Sequence, residues 1–155
     1  MDGGAEQRQQ GDALVTLTEG EWAGWSFWKG GDPFEDLTGP FYWRRDDDGG
    51  VRCAFRAEPR HMNGGGFMHG GCLMTFADSC LFEIARPALG ERFGVTATFS
   101  SEFIGAVPLG SLVECTGEVT RGGRSLIFVR ATVTADGEPA MTFSGVIKRT
   151  GPRNS

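Results

Sequence analysis

The stretch His61-Met62-Asn63-Gly64-Gly65-Gly66-Phe67-Met68-His69-Gly70-Gly71, followed seven residues later by Asp78, sets a glycine-rich loop directly ahead of an apolar helix carrying one carboxylate. Such a loop places unpaired backbone N–H groups at a helix N-terminus, where negative charge is stabilised. Asp78 falls among hydrophobic neighbours, between Met74 and Phe82 on its own face. Desolvation is expected to tune such an acid. Together these are parts for holding an oxyanion and for attacking, or activating a nucleophile at, a carbonyl carbon. Gly70 and Asp78 stand eight residues apart, hence roughly 12 Å along the helix axis. A reacting carbonyl needs both groups within about 3 Å. If both act on one carbonyl, the site must join Gly70 of one chain to Asp78 of another, and a symmetric dimer offers two such sites.

Outward from this stretch, the helix is expected to run from Gly70 to about Arg86, with Pro87 stopping it. Only Thr75, Ser79 and Glu83 form a polar wedge; apolar residues cover most of the remaining circumference, as in a mostly buried helix. Downstream, Val95–Phe99, Val113–Val119 and Ile127–Val133 alternate apolar and polar residues, and Met141, Phe143 and Ile147 close a fourth run. Arg121-Gly122-Gly123-Arg124 and Ala135-Asp136-Gly137-Glu138 read as hairpin connectors. Upstream, Asp46-Asp47-Asp48-Gly49-Gly50 separates Phe41–Arg45 from Val51–Glu58 as a hairpin, and Asp32-Pro33 and Gly39-Pro40 read as turns. Thr18 and Glu21 make a capping-box pattern ahead of Trp22, Trp25 and Trp28, which predicts a short amphipathic helix docked on a sheet. The expected order is helix, two strands, long buried helix, four strands in a meander. That is an α+β fold, an antiparallel sheet wrapped around a long central helix, with an extra short N-terminal helix.

At 155 residues the chain is one domain by size, expected over residues 14–150, with tails at 1–13 and 151–155. A net charge of −5 and the lack of any basic block exclude a nucleic-acid binder. No long uncharged apolar run is present to span a membrane, and the polar start, Met1–Gly11, does not resemble a signal peptide. A cytoplasmic protein is expected. Cys53, Cys72, Cys80 and Cys115 lack the close spacing of a zinc site and read as reduced, buried thiols.

The pattern His61-x-Asn63-x-x-Gly66-x-x-His69-Gly70-Gly71-x6-Asp78 resembles the hotdog-fold acyl-CoA thioesterases, in the phenylacetate-pathway and acyl-CoA thioesterase 13-like branch. The similarity continues through Gly94-Val95-Thr96, Pro108-x-Gly110 and Gly122-Gly123-Arg124-Ser125, covering roughly residues 39 to 150. Gly64-Gly65-Gly66 departs from the family's more usual single glycine. The resemblance implies a sheet wrapped around the central helix, coenzyme A thioesters as substrates, and no metal or redox cofactor. It also implies a homodimer with shared active sites, or a tetramer of such dimers. Carried over by position, Asp78 becomes the nucleophile or general base, and the Gly70 N–H polarises the thioester carbonyl. Asn63 and His69 position substrate or water, and Thr96 stands where relatives carry a Ser or Thr near the site. Gly71 and Phe82 are expected to contact substrate, and Arg121 and Arg124 to meet the coenzyme A phosphates.

Each of these residues also has a plainer reading. Asp78 could be a buried acid tied into a structural hydrogen bond, His69 a cap, Asn63 a turn residue, and the arginines solvated turn residues. No Gly-Lys-Ser/Thr follows the glycines, so a P-loop is excluded. His61, His69 and Asp78 across a flexible loop make poor metal-site spacing. Two other functions fit the same residues: a non-catalytic acyl-CoA or lipid-binding module, and a cysteine hydrolase using Cys72 in the first helical turn with His69 beside it. The acyl group, aromatic or fatty, is not encoded in any motif.

Overall fold

Strands begin earlier than the sequence pattern predicts. In the computed structural model, which describes residues 13–152, the chain opens with an antiparallel pair, β1 (Ala13–Thr16) and β2 (Ser26–Lys29). The helix expected over Trp22, Trp25 and Trp28 is therefore corrected to a turn running into a strand. Gly20 and Gly24 adopt φ of 77° and 84°, left-handed conformations that interrupt a right-handed helix. The capping-box acid Glu21 pairs with Arg56 instead. Trp22 stacks on Tyr42 with ring centroids 4.3 Å apart, Trp25 is buried beneath the Arg44 guanidinium, and Trp28 reaches the central helix. The extra short helix does exist, but later in the chain, as α1 (Pro33–Thr38). Asp32 caps it by accepting from the Glu35 N–H at 3.0 Å, with Pro33 in the first helical turn.

β3 (Tyr42–Arg45) and β4 (Val51–Arg56) form the expected hairpin, its aspartate-rich turn tied to Arg44 and Arg52 through Asp46. After the glycine loop comes α2 (Gly70–Leu89), then β5 (Arg92–Phe103), β6 (Leu112–Gly122), β7 (Leu126–Ala135) and β8 (Glu138–Pro152). The last four strands are not a simple meander. β6, β7 and β8 run in sequence, but β5 crosses to pair with β8, giving the antiparallel order β1-β2-β3-β4-β6-β7-β8-β5. β5 is thus an edge among the described residues. β1 takes in Ala13 and β8 continues through Pro152; the remainder of the expected tails lies outside the described residues.

The α2 stripe Leu73, Phe76, Ala77, Cys80, Leu81, Ile84 and Ala85 is buried against Phe55, Val113, Ile127, Val129, Met141 and Ile147 of the sheet. Gly145 permits the close approach: a Cβ there would lie 2.9 Å from both Leu81 methyl carbons. Pro87 does not stop α2. It sits within the last turn, where it removes one N–H, and the helix ends at Gly90, whose N–H returns to the Arg86 carbonyl. Glu83, expected on the polar wedge, is only 5% exposed. Trp28 Nε1–H donates to it at 2.7 Å, Arg86 donates to both its oxygens, and the Arg86 guanidinium lies over the Trp28 ring. β2 and α1, through Trp28 and Glu35, thus cover the polar side of the central helix.

Candidate active site

The glycine loop is shaped by Asn63. Its Oδ1 accepts from the N–H groups of Gly65 and Phe67, at 2.8 and 3.2 Å, and its backbone pairs with Phe67. Its side-chain oxygen is thus engaged within the turn. His61 is a core histidine: Nδ1 accepts from the Glu58 N–H at 3.0 Å and Nε2 meets the Thr38 carbonyl at 2.7 Å. His69 is the N-cap of α2, its Nδ1 accepting from the Gly71 N–H at 2.9 Å, which leaves the ring proton on Nε2. The Gly71 donor is therefore spent on the cap. The Gly70 N–H makes no hydrogen bond among the described residues, and the Phe103 ring, at the far end of β5, packs against Gly70.

Two turns along α2, Asp78 is half-buried and points toward β5. Thr96 Oγ1–H donates to Asp78 Oδ1 at 2.7 Å, leaving Oδ2 for another partner. Burial raises the Asp78 carboxyl above the ordinary aspartate value; the Thr96 hydrogen bond opposes the rise and the Asp32 charge adds to it. Asp78 opens onto a cavity of about 300 Å³ that also takes in Trp28, Glu35, Ser79, Phe82, Arg86, Leu89 and Phe93. Phe82 is thus brought to Asp78, while Gly70, Gly71, Asn63 and His69 gather at the other end of the same helix.

Glu35 is the site residue the sequence reading missed. It projects from α1 and accepts from Ser79 Oγ–H at 3.0 Å, one residue from Asp78. Burial pushes its carboxyl up to about 7, against the Ser79 hydrogen bond and with help from Asp32, Glu83 and Asp78. Its sequence signal was the start Asp32-Pro33-x-Glu35, an N-cap, a first-turn proline and an acid three residues on.

Arg121 and Arg124 are exposed at the β6–β7 turn, around a surface depression of about 520 Å³. Arg92 and Arg149 both donate to the Arg124 carbonyl, so four arginines meet there in an acidic chain. Cys72 is poorly suited to act as a nucleophile. Burial pushes its thiol up to about 11, against the lowering effect of Arg60.

Known proteins resemble this chain in sequence and in fold. The profile of the Thioesterase superfamily matches residues 65–141, from within the glycine loop to the start of β8. The esterase-named protein PA0474 of Pseudomonas aeruginosa is 31% identical over 115 residues, which is 74% of this chain and 86% of that protein. The chain belongs to the thioesterase superfamily. Solved structures place its fold among the hotdog thioesterases. The BH2602 protein of Bacillus halodurans, with CoA, has a TM-score of 0.72 at 18% identity, over 81% of this chain and 83% of that one. A hypothetical thioesterase of Streptococcus pneumoniae with coenzyme A gives 0.65 at 22%, over 74% and 88%. A mutant of the phenylacetic acid degradation protein PaaI of Thermus thermophilus gives 0.66 at 24%, over 77% and 100%. No α-helix among the described residues is long and apolar enough to cross a membrane.

Proposed function

We propose that this member of the thioesterase superfamily is a cytoplasmic acyl-CoA thioesterase, hydrolysing acyl-CoA to the free acid and coenzyme A at sites shared by two chains. The observation that carries the reading is Asp78, a desolvated carboxyl with one oxygen held by Thr96 and the other open to a cavity. On one route Oδ2 takes a proton from water as the oxygen bonds to the thioester carbon; on the other Oδ2 itself attacks, giving a mixed anhydride that water then cleaves. On either route the carbonyl oxygen gains charge at the Gly70 N–H of the partner chain, at the positive end of its α2. The C–S bond breaks, and the proton lost by water ends on the coenzyme A thiolate. In this reading His69 Nε2–H contacts substrate beside Gly70, while Asn63 acts by shaping the loop.

β5 supports the shared site. Among the described residues it is an edge strand with Phe93, Val95 and Phe103 exposed, so a second copy can pair with it. Thr96 holds Asp78 near one end and Phe103 packs on Gly70 near the other. An antiparallel β5–β5 pair centred between Phe99 and Ser100 sets Thr96 opposite the partner's Phe103. Each Asp78 then approaches the other chain's Gly70. Solved proteins of this fold hold coenzyme A, consistent with a coenzyme A thioester as substrate.

A panel of acyl-CoA thioesters, assayed by release of free thiol, tests the reading. Turnover of at least one supports it, and binding without thiol release would leave a non-catalytic acyl-CoA carrier instead. Replacing Arg121 and Arg124 together with alanine is expected to raise KM about tenfold with kcat kept, the difference shrinking as salt rises. An unchanged KM at low salt would remove the phosphate-binding role.

A further inference from the structure

The cavity beside Asp78 has a charge pattern that bears on which acyl groups can enter it. Its aromatic and aliphatic walls are Trp28, Phe82, Leu89 and Phe93. Around them stand five carboxyls, Asp32, Glu35, Asp36, Asp78 and Glu83, against the guanidinium groups of Arg86 and Arg92. Arg86 is already engaged by both oxygens of Glu83 and by the Trp28 ring. Arg92 donates to the Arg124 carbonyl. At about 300 Å³ the space lies at the small end of ligand cavities, enough for a short chain or a single ring. Glu35 is fixed within it by Ser79, next to the carboxylate expected to meet the thioester carbon.

We propose that this cavity is the acyl pocket, that its substrates are compact, neutral acyl groups, and that Glu35 selects against acyl chains ending in a carboxylate. The inference rests on the thioesterase reading and adds the substrate class. A terminal carboxylate entering beside Glu35 meets a like charge in a partly desolvated space, where repulsion is screened less than in water. A methyl group or phenyl ring meets only apolar wall. The selectivity is pH-dependent, because Glu35 titrates near 7. Asp32 on its own cap and Asp78 and Glu83 on α2 face it with negative charge; Arg86 and Arg92 share the cavity, and Lys29 and Asp36 flank it on the β2 side. Below pH 7 Glu35 is protonated and repels a carboxylate less; above pH 7 it is ionised and repels it more.

The test compares kcat/KM for hexanoyl-CoA and phenylacetyl-CoA with that for glutaryl-CoA, at pH 6 and pH 8, in wild type and Glu35→Gln. The coenzyme A portion is common to all three, so its own phosphate titration cancels in the ratio. The terminal carboxyl of the glutaryl group, near pKa 4.3 by analogy with glutamate, is ionised at both pH values. Glutamine can still accept from Ser79, so the pocket keeps its shape. Wild type is expected to prefer the neutral substrates, and more strongly at pH 8 than at pH 6. Glu35→Gln is expected to raise the relative rate on glutaryl-CoA about tenfold at pH 8 and to flatten the pH dependence of the ratio. A mutant ratio within about twofold of wild type overturns the proposal. So does a wild-type ratio that is flat between pH 6 and 8, a result that needs no folded mutant. Wild-type protein inactive on every CoA thioester overturns the thioesterase reading and the pocket with it; active protein that takes glutaryl-CoA as readily as hexanoyl-CoA overturns the pocket alone.

Discussion

Asp78→Asn is expected to lower kcat on acyl-CoA by about a hundredfold or more, with KM and melting temperature close to wild type. The substitution keeps the volume of the side chain, and the amide oxygen can still accept from Thr96 Oγ1, so the Asp78–Thr96 contact and the β5 edge stay in place. What is lost is the carboxylate proposed to take a proton from water or to attack carbon. The pH profile carries the same information. The reaction needs the ionised carboxylate, and burial raises its pKa, so wild-type kcat/KM should fall on the acid side at a pH above the ordinary aspartate value. Steady-state thiol release from pH 4 to 8 reads both quantities. A wild-type rate in Asp78→Asn would make Asp78 a structural acid held by Thr96.

The central helix was legible because several local signals agree. The apolar residues from Leu73 to Ala85 repeat at helical spacing, His69 can cap, and glycines mark the loop before it. Asp78 stood out as an acid within that apolar run. The N-terminal segment was misread because its local signals conflict with its tertiary partners. Trp22, Trp25 and Trp28 lie three apart, as a helix face would, and Thr18 and Glu21 imitate a capping box. Two left-handed glycines and separate partners for each ring decide otherwise: Tyr42 for Trp22, Arg44 for Trp25, Glu83 for Trp28. The burial of Glu83, on the polar wedge of the helix, was not legible for the same reason. Periodicity says which side of a helix is polar, and cannot say that another part of the chain covers that side. Glu35 depends on that covering. On a six-residue helix it has no periodic context, and it becomes a site residue only because α1 folds over Ser79 and Asp78.

Gly70→Pro should separate the oxyanion donor from the helix that presents it. Gly70 is the first helical residue, where proline is favoured and its missing N–H leaves no intrahelical bond broken. The preceding His69, at φ −61° and ψ 131°, already has the extended conformation required before proline. A Cβ at Gly70 would meet the Phe103 ring at 3.4 Å, ordinary contact. The variant should therefore fold with wild-type helix content by circular dichroism. It should lose about a hundredfold or more in kcat, the usual cost of deleting one oxyanion donor. Full activity in Gly70→Pro would mean that this N–H does not hold the carbonyl oxygen. Mixing then decides whose carbonyl it serves. In a dimer of one Asp78→Asn chain and one Gly70→Pro chain, a shared site carries either both defects or neither. Random exchange makes half the dimers mixed, and half of their sites are intact. Co-refolding two nearly inactive variants should thus return about a quarter of wild-type activity. If differential tags show mixed dimers and activity stays at the level of the single variants, Gly70 and Asp78 act within one chain, and the β5-paired geometry is wrong.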